Sequence, residues 1–100
     1  MDTKPQFIYV LKLIQKYLDE KNWTEYENKI VEEHFDYLTD LKKEGKLILA
    51  GRTQTWDEKT YGIVILSVES LDEAIDIMRH DPGITKGLMT AELFPFKIAI

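Results

Sequence analysis

Residues 24–51 read TEYENKIVEEHFDYLTDLKKEGKLILAG, and this stretch decides the fold. Thr24-Glu25-Tyr26-Glu27 is a capping box, in which Thr24 serves the amide three residues on and Glu27 reaches back. Behind it Ile30, His34, Leu38 and Leu41 recur at helical spacing, with Val31, Phe35 and Tyr37 widening the stripe. Lys42, Lys43 and Glu44 then lead to Gly45, a stop that sets cations at the negative end of the helix. The pattern predicts a helix over Glu25–Glu44. After it, Leu47-Ile48-Leu49-Ala50 opens a strand that runs to Thr55 and turns polar at Arg52.

Working outward, Gln6 to Leu13 is rich in Phe, Ile, Tyr, Val and Leu and too short for a stable helix of its own, so it reads as a first strand. Ile14 to Trp23 is a polar connection carrying Tyr17 and Trp23. Downstream, Trp56-Asp57-Glu58-Lys59 reads as a hairpin connection and Tyr61 to Val68 as a third strand. Ser70-Leu71-Asp72-Glu73 is a second capping box, opening a helix with Leu71, Ala74, Ile75 and Met78 on one stripe. That helix stops near His80, because Pro82 disfavours helical geometry at Asp81. Leu88 to Phe96 supplies a fourth strand, with Pro95 marking an edge or a bend. The order β-α-β-β-α-β is the ferredoxin-like split βαβ arrangement, an α+β fold with four antiparallel strands and both helices on one face.

Composition agrees with a single domain over residues 1–100. One hundred residues, 44% hydrophobic and 31% charged, suit one disulfide-free core. Zero cysteines remove disulfides, thiolate nucleophiles and Cys-ligated metal sites together. With two histidines, a dedicated metal site is not expected, and nothing implies a cofactor. The net charge of −5 lacks the basic footprint of a nucleic-acid binder. The longest apolar run, Phe7 to Leu11, falls far short of the ~20 residues of a membrane span. Met1 to Pro5 shows neither n-region nor h-region of a signal peptide, so a cytoplasmic location is expected. Five isolated glycines form no phosphate loop. Ser67 and Ser70 sit in no nucleophile elbow.

Phe7-Ile8-Tyr9-Val10-Leu11 and Ile63-Val64-Ile65-Leu66 are apolar on both alternating faces. Two helices cover one face of a four-stranded sheet, so a second copy of the sheet is the expected cover for the other. Ile65 and Val64 are candidates for that interface. Tyr9, Tyr61 and Trp56 read as core or dimer-interface aromatics.

His34 interrupts an apolar stripe and therefore points at the sheet. The pattern leaves two roles open, a core histidine satisfied by a local partner or a proton-transfer group. Asp81 reads either as a plain Asp-Pro turn or as the carboxylate that fixes the tautomer of His34. His80, at a helix C-terminus, reads as structural. Arg52 with Thr53-Gln54-Thr55 lines a cleft mouth or is an exposed strand end.

The run His34-Phe35-Asp36-Tyr37-Leu38 followed by Gly45-Lys46-Leu47-Ile48-Leu49-Ala50-Gly51 resembles the YCII-related family. Ser70-Leu71-Asp72-Glu73-Ala74, Asp81-Pro82, Gly87-Leu88 and Pro95-Phe96 continue the likeness. It implies a dimeric α/β barrel and a His–Asp pair facing a cleft, here His34 and Asp81. Relatives acting on ring compounds imply a small-molecule ligand. Where many relatives carry Arg and Pro, this chain has Val31 and Arg52, which implies an anion held from another wall, a different ligand, or none. Two functions remain: a cofactor-independent lyase or isomerase with Arg52 on the substrate, or a non-enzymatic ligand-binding or assembly module.

Overall fold

The computed structural model describes residues 4–100; the start read for a signal peptide lies, at Met1-Asp2-Thr3, outside them. Strand β1 spans Gln6–Leu13, helix α1 Glu25–Lys43, β2 Leu47–Arg52, β3 Gly62–Ser67, α2 Leu71–His80, α3 Pro82–Thr85 and β4 Met89–Phe96. The sheet is antiparallel in the order β2-β3-β1-β4. This is the ferredoxin-like α+β fold, with β1 and β3 central and Pro95 on the edge strand β4.

The pleat sorts the apolar strands into two faces. Phe7, Tyr9 and Leu11 of β1 pair with Leu66, Val64 and Gly62 of β3. All but Gly62 pack with Leu38 and Leu41 of α1 and with Ala74 and Ile77 of α2 into the main core. Alternate positions point the other way. Ile8 stands between Ile65 and Phe94, and Val10 stands beside Ile63. Val64 therefore belongs to the helix-covered face, and only Ile65 of the expected interface pair lies on the other. Phe94, Phe96 and Leu49 remain about 40% exposed there (41%, 39% and 45%). No helix among the described residues is long and apolar enough to cross a membrane.

Both helices begin where their capping boxes stand. Thr24 and Glu27 close theirs reciprocally; at α2 Ser70 accepts from the amide of Glu73, but the Glu73 carboxylate accepts from the amide of Glu69, so that box is only half formed. Gly45, at φ +77°, ends α1 in the left-handed geometry that glycine adopts without a Cβ penalty. In α2 the buried side chains are Ala74 and Ile77, while Leu71 is exposed. Of the expected stripe, Ala74 is buried and Met78 packs on the core, while Ile77 takes the inward place expected for Leu71.

Strand β2 stops at Arg52, three residues before the expected end. Beyond it one more backbone bond, from the Thr53 amide to the Tyr61 carbonyl, is joined by side chains: the hydroxyl of Thr53 accepts from the amide of Tyr61, and that of Thr60 donates to the carbonyl of Thr55. Near its start β2 also carries a bulge. Leu47 pairs with Leu66 but Leu49 pairs with Ile65, leaving Ile48 extra, and Lys42 Nζ donates to the Ile48 carbonyl at 2.9 Å. Downstream of the bulge, Arg52 pairs with Gly62 and so shares the face of Leu11 and Val64.

Candidate active site

His34 lies on the buried stripe of α1 between Ile30 and Leu38, where four-residue spacing turns it toward the sheet. Asp81 lies at the junction of α2 and α3. Its backbone amide closes α2 on the Met78 carbonyl, and its side chain caps α3 by accepting from the amide of Gly83 at 2.9 Å. Pro82 fits the first turn of α3, where no amide is needed. The sequence reading did not anticipate that short helix. It brings the carboxylate inward, and Lys86 just beyond it pairs with Glu33 of α1.

His34 and Asp81 meet. Nδ1 of His34 is 2.6 Å from Oδ1 of Asp81, and the phenol of Tyr9 donates to Oδ2 at 2.8 Å. Asp81 is fully buried and His34 nearly so, at 0% and 6% exposure. An ionised carboxylate would accept from all three partners, and the imidazole would then carry a proton on Nδ1. No buried polar side-chain atom among the described residues lacks a partner, and the hydrogen bond of His34 runs through Nδ1. Nε2 is therefore the accessible nitrogen, and His34 lines a cavity of about 1030 Å³.

That cavity runs along α1 and β2. Leu11, Leu38 and Val64 form its apolar floor, while Arg52, Trp56 and Tyr61 stand at its exposed rim. Tyr61 and Trp56, expected in a core or interface, are not in the core and line this opening. Trp56 ties the β2–β3 connection to the segment after β1, donating Nε1–H to the Leu18 carbonyl at 2.8 Å and packing on Trp23. The guanidinium of Arg52 donates only to the Thr53 carbonyl, and among the described residues no carboxylate pairs with it.

Burial, then the charge and hydrogen bond of Asp81, push the phenol of Tyr9 far above the ordinary tyrosine range. Tyr37 is pushed up to about 12, by burial first and next by Asp81, and donates to the Ile77 carbonyl at 2.8 Å. Both tyrosines remain neutral donors near neutrality. His80 bonds the Asp76 carbonyl through Nδ1 at 2.7 Å, away from this cluster. Among the described residues no three His, Asp or Glu side chains are placed to hold a metal ion. Tyr9 and Gly83 are the members that sequence reasoning missed. For Tyr9 the available signal was a hydroxyl in the middle of an otherwise apolar central strand.

These features define a ferredoxin-like α+β domain with a carboxylate-held imidazole at the foot of an apolar cavity. The YCII-related domain model matches residues 9–97, and the chain belongs to that family. No curated protein matches it. Among solved structures, it is similar to the 5-chloro-2-hydroxyhydroquinone dehydrochlorinase of Burkholderia phenoliruptrix, determined in complex with 2,5-dihydroxybenzoquinone. The TM-score is 0.69 at 22% identity, over 92% of this chain and 93% of that one, a likeness of fold. The fold is thus that of the dimeric α/β barrel proteins.

Proposed function

We propose that the chain is a small enzyme of lyase or isomerase type, working by acid–base chemistry without a cofactor on a small cyclic or carbonyl substrate. One observation carries this reading. The imidazole is anchored at 2.6 Å through Nδ1 by a buried carboxylate and turns its other nitrogen toward a cavity of about 1030 Å³. A histidine serving only the core has no need of such an opening. Nε2 takes a proton from the substrate, Asp81 stabilises the imidazolium, and the proton returns at a neighbouring atom or to the leaving group. Arg52 at the rim binds the carboxylate or oxyanion of the substrate. A protein of the same fold that acts on a chlorinated hydroxyhydroquinone supports a cavity shaped for small rings.

The test is turnover of a panel of hydroxylated and chlorinated cyclic carbonyl compounds. His34→Ala is expected to lower turnover by ~100- to 10,000-fold, the usual reach of general acid–base catalysis, while the chain stays folded. Near-full activity in that variant would reduce His34 to a core residue. Binding without turnover in the parent chain would leave a ligand-binding module.

We also infer that two copies pair through the sheet face carrying Ile8, Leu49, Phe94 and Phe96, with Ile65 buried between them, an apolar surface that the helices do not cover. Light scattering is expected to give twice the 11.7 kDa of the chain, and Ile65→Asp to give monomer or insoluble protein. A parent mass of one chain at micromolar concentration overturns the pairing.

A further inference from the structure

We propose that Tyr9 is the positioning residue of this site: its buried phenol holds Asp81 so that His34 keeps its proton on Nδ1 and offers a bare Nε2 to the cavity. The proposal rests on the acid–base reading of the His34–Asp81 pair and adds the group that sets its geometry. Tyr9 occupies the centre of β1, fully buried, with Val64 and Leu93 beside it in the ladder. A phenylalanine ring would fill that space equally well. The hydroxyl is costly in an apolar core unless it is used, and here it donates to Asp81 Oδ2 at 2.8 Å.

The placement matters because His34 and the Gly83 amide both use the other oxygen, Oδ1, at 2.6 and 2.9 Å. A carboxylate held through one oxygen alone can swing about its Cβ–Cγ bond. With donors on both oxygens, from β1 on one side and from α1 and α3 on the other, its plane is fixed. Glycine at 83 leaves the carboxylate its place, since a Cβ there would lie 3.3 Å from Oδ1 and 3.1 Å from Met89 Sδ. A fixed acceptor opposite Nδ1 selects one of the two neutral imidazole tautomers. Tyr9 and Asp81 do not line the cavity. Tyr9 therefore acts on substrate only through the imidazole.

The experiment reads the tautomer of His34 directly, by long-range nitrogen–proton NMR on uniformly labelled protein in mildly alkaline buffer. The parent chain is expected to show a protonated Nδ1, a bare Nε2 and a slowly exchanging Nδ1 proton. Tyr9→Phe is expected to broaden or lose that proton signal and to raise the share of the Nε2-protonated form. A merely structural tyrosine would lower the melting temperature and leave the tautomer unmoved, and that result overturns the proposal. Should Tyr9→Phe fail to fold, 3-fluorotyrosine at position 9 keeps ring and hydroxyl while strengthening the donor. The Nδ1 proton of His34 must then shift, and an unshifted signal overturns the proposal equally. Loss of the catalytic reading would appear elsewhere, as undiminished turnover in His34→Ala.

Discussion

Among the described residues two carboxylates are buried, Glu27 near the start of α1 and Asp81 at the end of α2, and each accepts from a tyrosine. Their surroundings otherwise differ. Glu27 takes its remaining hydrogen bonds from Thr24, at 2.7 Å from the amide and 2.5 Å from the hydroxyl, and its tyrosine is ten residues away. Asp81 is held by residues 47 and 72 positions distant, on α1 and β1. The first is a helix start satisfied within its own neighbourhood. The second ties distant elements together and touches His34, which lines the cavity. Burial of a carboxylate alone therefore marks nothing. What distinguishes a site is the range over which its partners are gathered and a reactive atom left facing space.

That contrast makes measurable claims. Asp81→Ala strands three donors in the core and is expected to cost about 3–5 kcal/mol, the range for breaking a buried charged pair from one side. Urea unfolding measures it, and a cost below about 1 kcal/mol would place Asp81 on the same footing as a surface cap. Thr24→Ala, at the other carboxylate, is expected to cost about 1 kcal/mol in the same assay, the usual loss of an N-cap. A loss as large as that of Asp81→Ala would erase the distinction between local and long-range anchoring.

The smallest effect is in the pH dependence. The hydroxyl and amide of Thr24 hold the Glu27 carboxyl below its ordinary range. Its contribution to stability is therefore complete above the unfolded value of about 4.3 and fades as pH falls through the lower folded value. Glu27→Gln removes this component, so stability is expected to decline less steeply on the acid side than in the parent chain. Unfolding curves collected across that range compare the two slopes. Equal slopes would mean that the fold leaves Glu27 titrating as it does unfolded.

Much of the architecture was legible because local signals agreed. Gln6–Leu13 as a strand, the capping box of α1, Ser70 as the N-cap of α2, the end of α2 at His80 and the inward turn of His34 all follow from spacing and cap chemistry over a few residues. The encounter of His34 with Asp81 was legible as well, since both helices of this fold lie on one side of the sheet. The rest depended on information that a pattern of period two or 3.6 does not carry. With every residue of Ile63–Leu66 apolar, alternation cannot tell which of Val64 and Ile65 faces the helices. Tyr9 hid for the same reason, as one more apolar ring in an apolar strand. Helix α3 is a single turn whose existence follows from the Asp81 side chain capping it, a contact made in three dimensions.

The bulge at Ile48 has a consequence for how such a domain diverges. Two residues of β2 stand against one step of β3 there, so the extra residue is absorbed and Arg52 keeps its place opposite Gly62 on the cavity side. Deleting Ile48 would restore an unbroken ladder and leave that facing unchanged. A length change near the start of β2 therefore passes without disturbing the rim. Ligand choice then varies by substitution at the rim position itself, while the His34–Asp81 pair behind it is inherited intact.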